Sequence, residues 1–264
     1  MLEALRKTRV AKLIPFLMAG HPNLEMTERL ALSLIEEGVA ALELGVPFSD
    51  ALADGPVIQR AAEKALQHNV CLEQVLDLAG RLHQAHPKIP LIIFSYLNPI
   101  LSFGIEKYVA KAKICGVAAT LAVDLPPEEA EEFFELHRQA GLQTVFLASP
   151  TTSSERLPLI DRFSTGFIYV VSRTGVTGIQ NDISQTLGLE IDRIRKVSRL
   201  PLAVGFGISN AEQAQAVARF ADAVVVGSAF VKLIEAHSEN PTCLEEAVRG
   251  LARDLLRGLS AAAE

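Results

Sequence analysis

One acidic residue stands inside an otherwise apolar stretch of the sequence. Glu43 lies between Leu42 and Leu44, in a run that is typical of a buried strand. An unpartnered carboxylate is costly to bury, so this side chain is expected either to have a partner or to have a raised pKa. A carboxyl group that titrates near neutrality can both donate and accept a proton, as a general acid and base does. The alternative is a structural glutamate whose oxygens accept backbone N–H groups at a strand end.

A second carboxylate follows in the polar segment 45–56. Asp54 lies in this segment, and a loop of this length in a compact domain is often functional. Asp54 and Asp50 could equally be turn-forming or helix-capping residues. Two prolines follow shortly after Asp124, which favours a structural capping role for that residue.

Glycines recur in three later segments, 172–178, 205–207 and 227–228. Glycine lets backbone N–H groups approach an anion closely, and a helix that begins at Ser228 would add partial positive charge. Each cluster alone would predict only a tight turn, whereas the three together predict a phosphate site. The sequence has no Gly-x-x-x-x-Gly-Lys-Ser/Thr motif, which excludes a nucleotide P-loop.

Short apolar runs alternate with longer amphipathic stretches along the chain. The apolar runs predict eight buried strands, over Leu13–Met18, Ala40–Leu44, Leu91–Tyr96, Ala118–Val123, Thr144–Ala148, Phe167–Ser172, Leu202–Val204 and Ala223–Val226. The amphipathic stretches predict helices over Leu24–Glu37, Val57–Gln67, Cys71–His86, Ile105–Ile114, Glu128–Ala140, Ser154–Phe163, Leu187–Ser198, Asn210–Phe220 and Leu244–Ala261. Ser209 and Glu212 have the spacing of a capping box.

This alternation predicts an α/β fold, a single (β/α)8 TIM barrel with a parallel sheet that forms one domain over residues 1–264. A doubly wound sheet is the alternative, but the turn after the first predicted strand, segment 19–22, lacks the glycine-rich fingerprint of that fold. In a barrel of this kind the active site lies at the carboxyl ends of the strands. Glu43 and the three glycine clusters fall at those ends.

The composition excludes several classes of function. The chain has 25 Lys and Arg against 31 Asp and Glu, a formal charge of −6, and no basic run, which disfavours nucleic acid and anionic membranes as partners. No apolar run is long enough to span a bilayer, and the sequence predicts a cytoplasmic protein. The three cysteines, Cys71, Cys115 and Cys243, are far apart, which argues against a disulfide framework and a zinc site.

The histidines predict no catalytic metal site. His21 stands at the end of the first predicted strand and could face the site. The other five are expected to be solvated on helices or at helix ends: His68, His83, His86, His137 and His237.

Two long motifs carry a resemblance to one family. Segment 42–56, LELGVPFSDALADGP, resembles the strand-two signature of the tryptophan synthase α subunit, and segment 172–178, SRTGVTG, resembles its strand-six loop. Segments 205–209 and 227–229 resemble its phosphate sites. The similarity runs in order from about residue 14 to residue 232, so the chain is identified as a member of this family.

The resemblance implies a lyase that cleaves indole-3-glycerol phosphate into indole and glyceraldehyde 3-phosphate, by a retro-aldol step without a cofactor. It assigns Glu43 as the general acid and base, and Asp54 as the acceptor of the indole N–H hydrogen bond. Thr177 is expected to bond Asp54 when the strand-six loop closes. The other implied substrate-binding residues are Phe16, Phe94, Tyr96, Leu121, Tyr169, Gly178, Phe206, Gly207, Val225, Gly227 and Ser228. From position alone, Tyr96 and Tyr169 could equally be core residues.

The resemblance also implies a partner. The family works as an αββα complex in tryptophan biosynthesis, in which indole passes to a β subunit that holds pyridoxal phosphate. Ala51 stands where the family usually has proline, in the loop that faces the β subunit, and His21 stands where aspartate is common. The segment before Leu13 is short, so the family's N-terminal helix is expected to be reduced.

Two other functions remain open at the level of sequence. The altered strand-two loop motivates a non-catalytic regulator, an α-like partner that only activates the β subunit. The chain could also be a different phosphate-binding barrel, such as an isomerase of amino-sugar phosphates or an indole-glycerol-phosphate synthase. The synthase reaction would need a lysine at a strand end, which the sequence does not provide.

Overall fold

A closed barrel of eight parallel strands forms the centre of the molecule. The computed structural model describes residues 5–6, 9–171, 180–205 and 207–262, with only the backbone described for 180–186. The strands follow one another around the barrel in chain order, and the last pairs with the first. They are β1 Lys12–Met18, β2 Leu42–Gly45, β3 Leu91–Ser95, β4 Ala119–Ala122, β5 Gln143–Ala148, β6 Ile168–Val171, β7 Leu202–Gly205 and β8 Ala223–Val226.

Helices cover the outside of the barrel. In the described residues they are α1 Leu24–Glu36, α2 Pro56–Gln67, α3 Leu72–Ala85, α4 Leu97–Phe103, α5 Ile105–Ile114, α6 Glu131–Ala140, α7 Leu157–Phe163, α8 Gln180–Arg195, α9 Ala211–Ala218, α10 Ser228–His237 and α11 Pro241–Ala261. A short 3-10 helix, Pro127–Glu129, precedes α6. The predicted (β/α)8 barrel is confirmed, and each strand lies within two residues of its predicted bounds.

The helix predictions were less accurate than the strand predictions. The sequence pattern gives no helix at α4, where Pro99 interrupts the run and only Ile100 is buried. The sequence pattern predicts that α10 begins at Ser228 but does not predict where this helix ends. The predicted capping box is wrong by one residue, because Asn210 caps α9 by accepting the N–H of Gln213 at 2.9 Å. The Gln213 side chain in turn accepts the N–H of Ser209 at 2.8 Å.

Apolar side chains fill the inside of the barrel. Leu5 is fully buried and joins a cluster of inward-facing residues. The other fully or almost fully buried members are Ile14, Ala41, Ile92, Ala119, Leu121, Val145, Phe167, Ala203, Ala223 and Val225. Burial of such layers is the main favourable term in the stability of a barrel. Residues 1–4 and 7–8 lie outside the described residues, so the reduced N-terminal helix stays a prediction.

Three polar side chains form a buried network behind β4. The Thr120 hydroxyl lies 2.8 Å from the Tyr108 hydroxyl and 3.0 Å from Nε2 of His137. Nδ1 of His137 lies 2.7 Å from the carbonyl oxygen of Phe133. A carbonyl only accepts, so Nδ1 carries the hydrogen, Nε2 accepts from Thr120, and Tyr108 donates to Thr120. The prediction that His137 is solvated was therefore wrong.

Burial lowers the pKa of His137 to about 4. The unfolded chain binds this proton near pH 6.5 and the folded chain only near pH 4, so stability is lost as the pH falls through this range. We expect this group to remove about 3 kcal/mol of the free energy of unfolding between pH 6.5 and pH 4. Glutamine in His137→Gln can still accept the hydrogen bond of Thr120 but does not titrate. Between pH 6.5 and pH 4, the free energy of unfolding of this variant, measured with urea, should therefore fall by about 3 kcal/mol less than that of the wild type.

The matched control is His68→Gln, at an exposed position on the end of α2. This variant should keep the pH dependence of the wild type. If His137→Gln and the wild type lost stability in parallel, the depressed pKa of His137 would be refuted.

Candidate functional site

Six of the residues predicted for the site lie on the strands themselves. The register pairs Phe16 of β1 with Glu43 of β2, and Phe94 of β3 with Leu121 of β4. The rings of Phe16 and Phe94 meet edge to face, with 5.0 Å between their centroids. Leu121 and Val225 belong to the cluster inside the barrel, and Phe94 and Tyr169 pack against it. These side chains therefore surround the Glu43 end of the barrel with apolar walls.

Glu43 is fully buried. Neither carboxylate oxygen has a hydrogen-bond partner among the residues that the structure describes. Burial raises the pKa of this group to about 8, because the charged form loses its hydration and gains no partner. The side chain is therefore mainly protonated at neutral pH. The structural alternative, a carboxylate satisfied by backbone N–H groups, finds no support in the described part of the chain.

Asp54 lies in the loop between β2 and α2 and is half-buried. Its Oδ2 accepts a hydrogen bond from the Tyr96 hydroxyl at 3.1 Å. Burial raises the pKa of Asp54 to about 6, and the bond from Tyr96 opposes this rise because it favours the charged form. The two carboxyl groups thus differ in charge near pH 7, since Glu43 is mainly protonated and Asp54 is mainly ionised.

The side chain of Tyr96 connects β3 to the loop that carries Asp54. Its hydroxyl also accepts the N–H of Ala53 at 2.9 Å, and its ring packs on Phe48 with 5.3 Å between centroids. Burial and the nearby charge of Asp54 hold the pKa of Tyr96 above its usual range. From the sequence alone, Tyr96 could be either a residue of the pocket wall or a core residue. The contact with Asp54 joins residues far apart in the chain, and no local pattern could have revealed it.

Two glycines make room for the aromatic side chains of the site. A Cβ atom at Gly205 would lie 2.1 Å from the hydroxyl oxygen and 2.6 Å from Cζ of Tyr169. A Cβ atom at Gly45 would lie 2.5 Å from Cζ of Phe16. Real Cβ atoms do not approach other atoms this closely, so both positions need glycine. From the sequence, Gly205 belongs to the glycines that are predicted to bind phosphate. Its contact with Tyr169 was not predicted.

Glycines also mark the part of the site predicted to bind phosphate. Gly207 has a φ of +78°, in the left-handed region that favours glycine. Gly227 precedes α10, and Ser228 is the first residue of that helix. No side chain caps this helix, and the first N–H groups of a helix have no partner within it. Thr177, Gly178 and Phe206 lie outside the described residues, so their places in the site stay predictions.

His21 is buried at the end of β1, and neither ring nitrogen has a partner among the described residues. Burial and the charge of Lys64 lower the pKa of His21 to about 4, while the charge of Glu235 acts in the opposite direction. The imidazole is therefore neutral near pH 7. Lys64 of α2 and Glu235 of α10 pair at 3.2 Å, which joins the helix after Asp54 to the helix that begins at Ser228.

A cavity of about 330 Å³ opens at the ends of β4, β5 and β6. Its lining is mainly apolar, with Asp124, Ser149, Thr152 and Arg156 as polar members. Its other lining residues are Ala122, Val123, Leu125, Pro126, Pro127, Phe146, Leu147 and Val171.

Within the described ranges, no group of three or more His, Cys, Asp or Glu side chains is placed to hold a metal ion. No helix in the same ranges has the length and apolar character that crossing a bilayer requires.

Sequence comparisons connect the chain to known proteins. A family model described as "Tryptophan synthase alpha chain" matches residues 2–257. A curated protein of that name from Solibacter usitatus is 43% identical over 261 residues, which cover 99% of this chain and 97% of the relative. Another from Geotalea uraniireducens is 45% identical over 257 residues, which cover 97% and 95%.

Solved structures agree with these matches. The tryptophan synthase alpha chain of Legionella pneumophila superposes with a TM-score of 0.88 at 37% identity, and the alignment covers 98% of this chain and 95% of that one. A chain from the aminoacrylate-bound tryptophan synthase of M. tuberculosis superposes with a TM-score of 0.83 at 30% identity, covering 95% and 94%. From the family model and these full-length relatives, the chain belongs to the tryptophan synthase alpha chain family.

Proposed function

We propose that this chain is the α subunit of a tryptophan synthase and that it cleaves indole-3-glycerol phosphate into indole and glyceraldehyde 3-phosphate. The observation that carries the proposal is the contrast between two carboxyl groups at one end of the barrel. Burial raises the pKa of Glu43 to about 8, whereas the pKa of Asp54 lies at about 6. Near pH 7 the pair therefore offers a proton donor and a negative charge together.

The reaction follows from these two states. Glu43 donates its proton to C3 of the indole ring, and Asp54 accepts the hydrogen bond of the ring N–H and stabilises the positive charge that develops. The Glu43 carboxylate then takes the proton of the hydroxyl group on the adjacent side-chain carbon. The bond between that carbon and C3 breaks, its electrons return to the ring, and an aldehyde forms. Glu43 ends protonated, so the cycle needs no external acid or base.

The surroundings of the pair support this chemistry. Phe16, Phe94, Leu121 and Val225 are apolar and exclude water, which strengthens electrostatic interactions between Asp54 and the ring. The N–H groups near Gly207, Gly227 and Ser228 are the proposed ligands of the substrate phosphate. Thr177, Gly178 and Phe206 complete the proposed site from the segments outside the described residues.

A β subunit that holds pyridoxal phosphate is the proposed partner, in an αββα complex in the cytoplasm. Leu52 is 90% exposed in the loop before α2, and Leu101 is 52% exposed on α4. Both lie in segments that follow strand ends at the mouth of the barrel, where exposed apolar side chains suit a protein contact. The proposed cleavage needs only proton transfer, so no cofactor is proposed for this chain itself.

The Ala51 departure from the family pattern has a structural context. Ala51 is buried, and its carbonyl oxygen accepts the N–H of Asp54 at 3.1 Å and Nε2 of Gln59 at 3.0 Å. Nε2 of Gln59 also donates to the carbonyl oxygen of Asp54 at 2.9 Å. Hydrogen bonds therefore restrain this loop where the family usually has proline. This favours a catalytic subunit over the alternative, a non-catalytic regulator whose loop has been loosened.

The direct test is indole release from indole-3-glycerol phosphate by the purified chain, with and without its β subunit. In Glu43→Gln we expect the rate of release to fall by about 10²–10⁴-fold, because the amide cannot donate or accept the proton. Stimulation of the β subunit by this variant should persist. Glu63→Gln, an exposed change on α2, is the control and should keep wild-type activity. A wild-type chain that stimulates the β subunit but releases no indole would instead be the regulator.

A second variant tests the walls of the site. In Gly205→Ala the added methyl group collides with Tyr169, so we expect kcat/KM for indole release to fall by about 10-fold or more. Tyr169→Leu in the same chain removes the colliding ring atoms and should restore part of the loss. Gly250→Ala, which meets no atom within 4 Å on α11, is the control. Full activity in Gly205→Ala would show that Tyr169 does not depend on this close approach.

A further inference from the structure

We propose that Asp124 is a positioning residue, which fixes Tyr96 and through it holds Asp54 in the orientation that the reaction needs. The inference rests on the proposed function and adds to it a residue from a different strand. It concerns a relay across three neighbouring strand ends, from β4 through β3 to the loop after β2.

The first link runs from β4 to α4. Asp124 follows the end of β4, and its Oδ1 accepts the N–H of Leu97 at 2.7 Å. Leu97 is the first residue of α4, and Tyr96 before it makes no side-chain hydrogen bond that caps the helix. The first N–H groups of a helix lack partners within it, and a carboxylate there also interacts favourably with the helix dipole. Asp124 therefore fixes the backbone from which the Tyr96 side chain projects.

The second link runs from Tyr96 to the loop of Asp54. The Tyr96 hydroxyl donates to Oδ2 of Asp54 at 3.1 Å and accepts the N–H of Ala53 at 2.9 Å. Its ring is buried and packs on Phe48. The side chain is thus held at its backbone through Leu97 and at its hydroxyl by two partners. A shift of its backbone would move the hydroxyl relative to the Asp54 carboxylate.

Among the hydrogen bonds of the described residues, Asp124 is connected to Asp54 through Leu97 and Tyr96. Its carboxylate is exposed at the mouth of the barrel, and the hydrogen bond that the structure gives it goes to backbone. Asp124 lines the cavity at the ends of β4 to β6, whereas neither Glu43 nor Asp54 is among the lining residues of that cavity. We therefore assign it a positioning role and not a catalytic one.

The relay has a titration signature at Asp54. The hydrogen bond from Tyr96 favours the ionised carboxylate of Asp54. If this hydrogen bond is weakened, the pKa of Asp54 therefore rises above about 6. The titratable groups that interact with Asp54 in the described residues are Tyr96, directly after β3, and, through its field, Tyr169 of β6. Replacing Asp124 alters the first of these contacts and leaves Tyr169 in place.

The experiment compares Asp124→Ala with Asp124→Asn in the complex with the β subunit, by the rate of indole release between pH 5 and pH 9. Asn keeps an oxygen that can accept the N–H of Leu97, so Asp124→Asn should stay within about twofold of the wild type. In Asp124→Ala we expect kcat to fall about fivefold, with KM changed less than about twofold. The acid limb of the pH profile should move upward by about half a unit from its wild-type position near pH 6.

Tyr96→Phe provides the second arm, because it removes the hydroxyl on which the relay depends. This variant should itself move the acid limb upward, and adding Asp124→Ala to it should produce no further shift. The proposal would be overturned if the acid limb of the pH profile lay at the same pH in Asp124→Ala and in the wild type. It would also be overturned if the shifts of the acid limb in the two single variants added up in the double variant. A merely structural role for Asp124 would lower the stability of α4 and leave the acid limb in place.

Direct titration of the Asp54 carboxyl by ¹³C NMR gives the same comparison without turnover. The Asp54→Asn variant identifies its signal. A wild-type chain that releases no indole would refute the proposed function, and the relay would still be tested by whether Asp124→Ala, but not Asp124→Asn, raises the pKa of Asp54. An unchanged pKa in Asp124→Ala would overturn the relay alone.

Discussion

The burial of one carboxyl group without a partner is the constraint on which the site depends. Water would hydrate Glu43 and return its pKa to the ordinary range, so the end of the barrel has to keep water away. The walls contributed by Phe16 and Phe94 do this, and Gly45 leaves the space that the ring of Phe16 occupies. Holding Glu43 in this state costs stability above pH 4.5, and the large apolar core of the barrel offsets that cost.

The second carboxyl group is held in the opposite state by a different environment. Asp54 lies on a loop with partial access to solvent and receives a hydrogen bond from Tyr96, which keeps its pKa two units below that of Glu43. One residue is placed by a strand and the other by a hydrogen-bonded loop. The barrel therefore fixes Glu43 by its sheet, while Asp54 depends on contacts made by the ends of β3 and β4.

The sequence predicts the strands well because buried parallel strands are continuous apolar runs. It singles out Glu43 as a candidate functional residue because a charged residue interrupts such a run. It fails where the outcome depends on how distant segments meet. The Tyr96–Asp54 bond and the close approach of Gly205 to Tyr169 exist only once the barrel has closed. His137 looks like a solvated helical residue in the sequence, and its burial follows from the packing of α6 on Thr120.

The chemistry proposed for the site requires that Glu43 is protonated at neutral pH in the free chain. The most direct test is infrared titration of its carboxyl group, with the signal identified by subtraction of the Glu43→Gln spectrum. We expect a protonated carboxyl band that disappears with an apparent pKa of about 8. A band that disappears near pH 4.5, the ordinary value for glutamate, would rule out Glu43 as the proton donor, because it would then have no proton to donate at neutral pH.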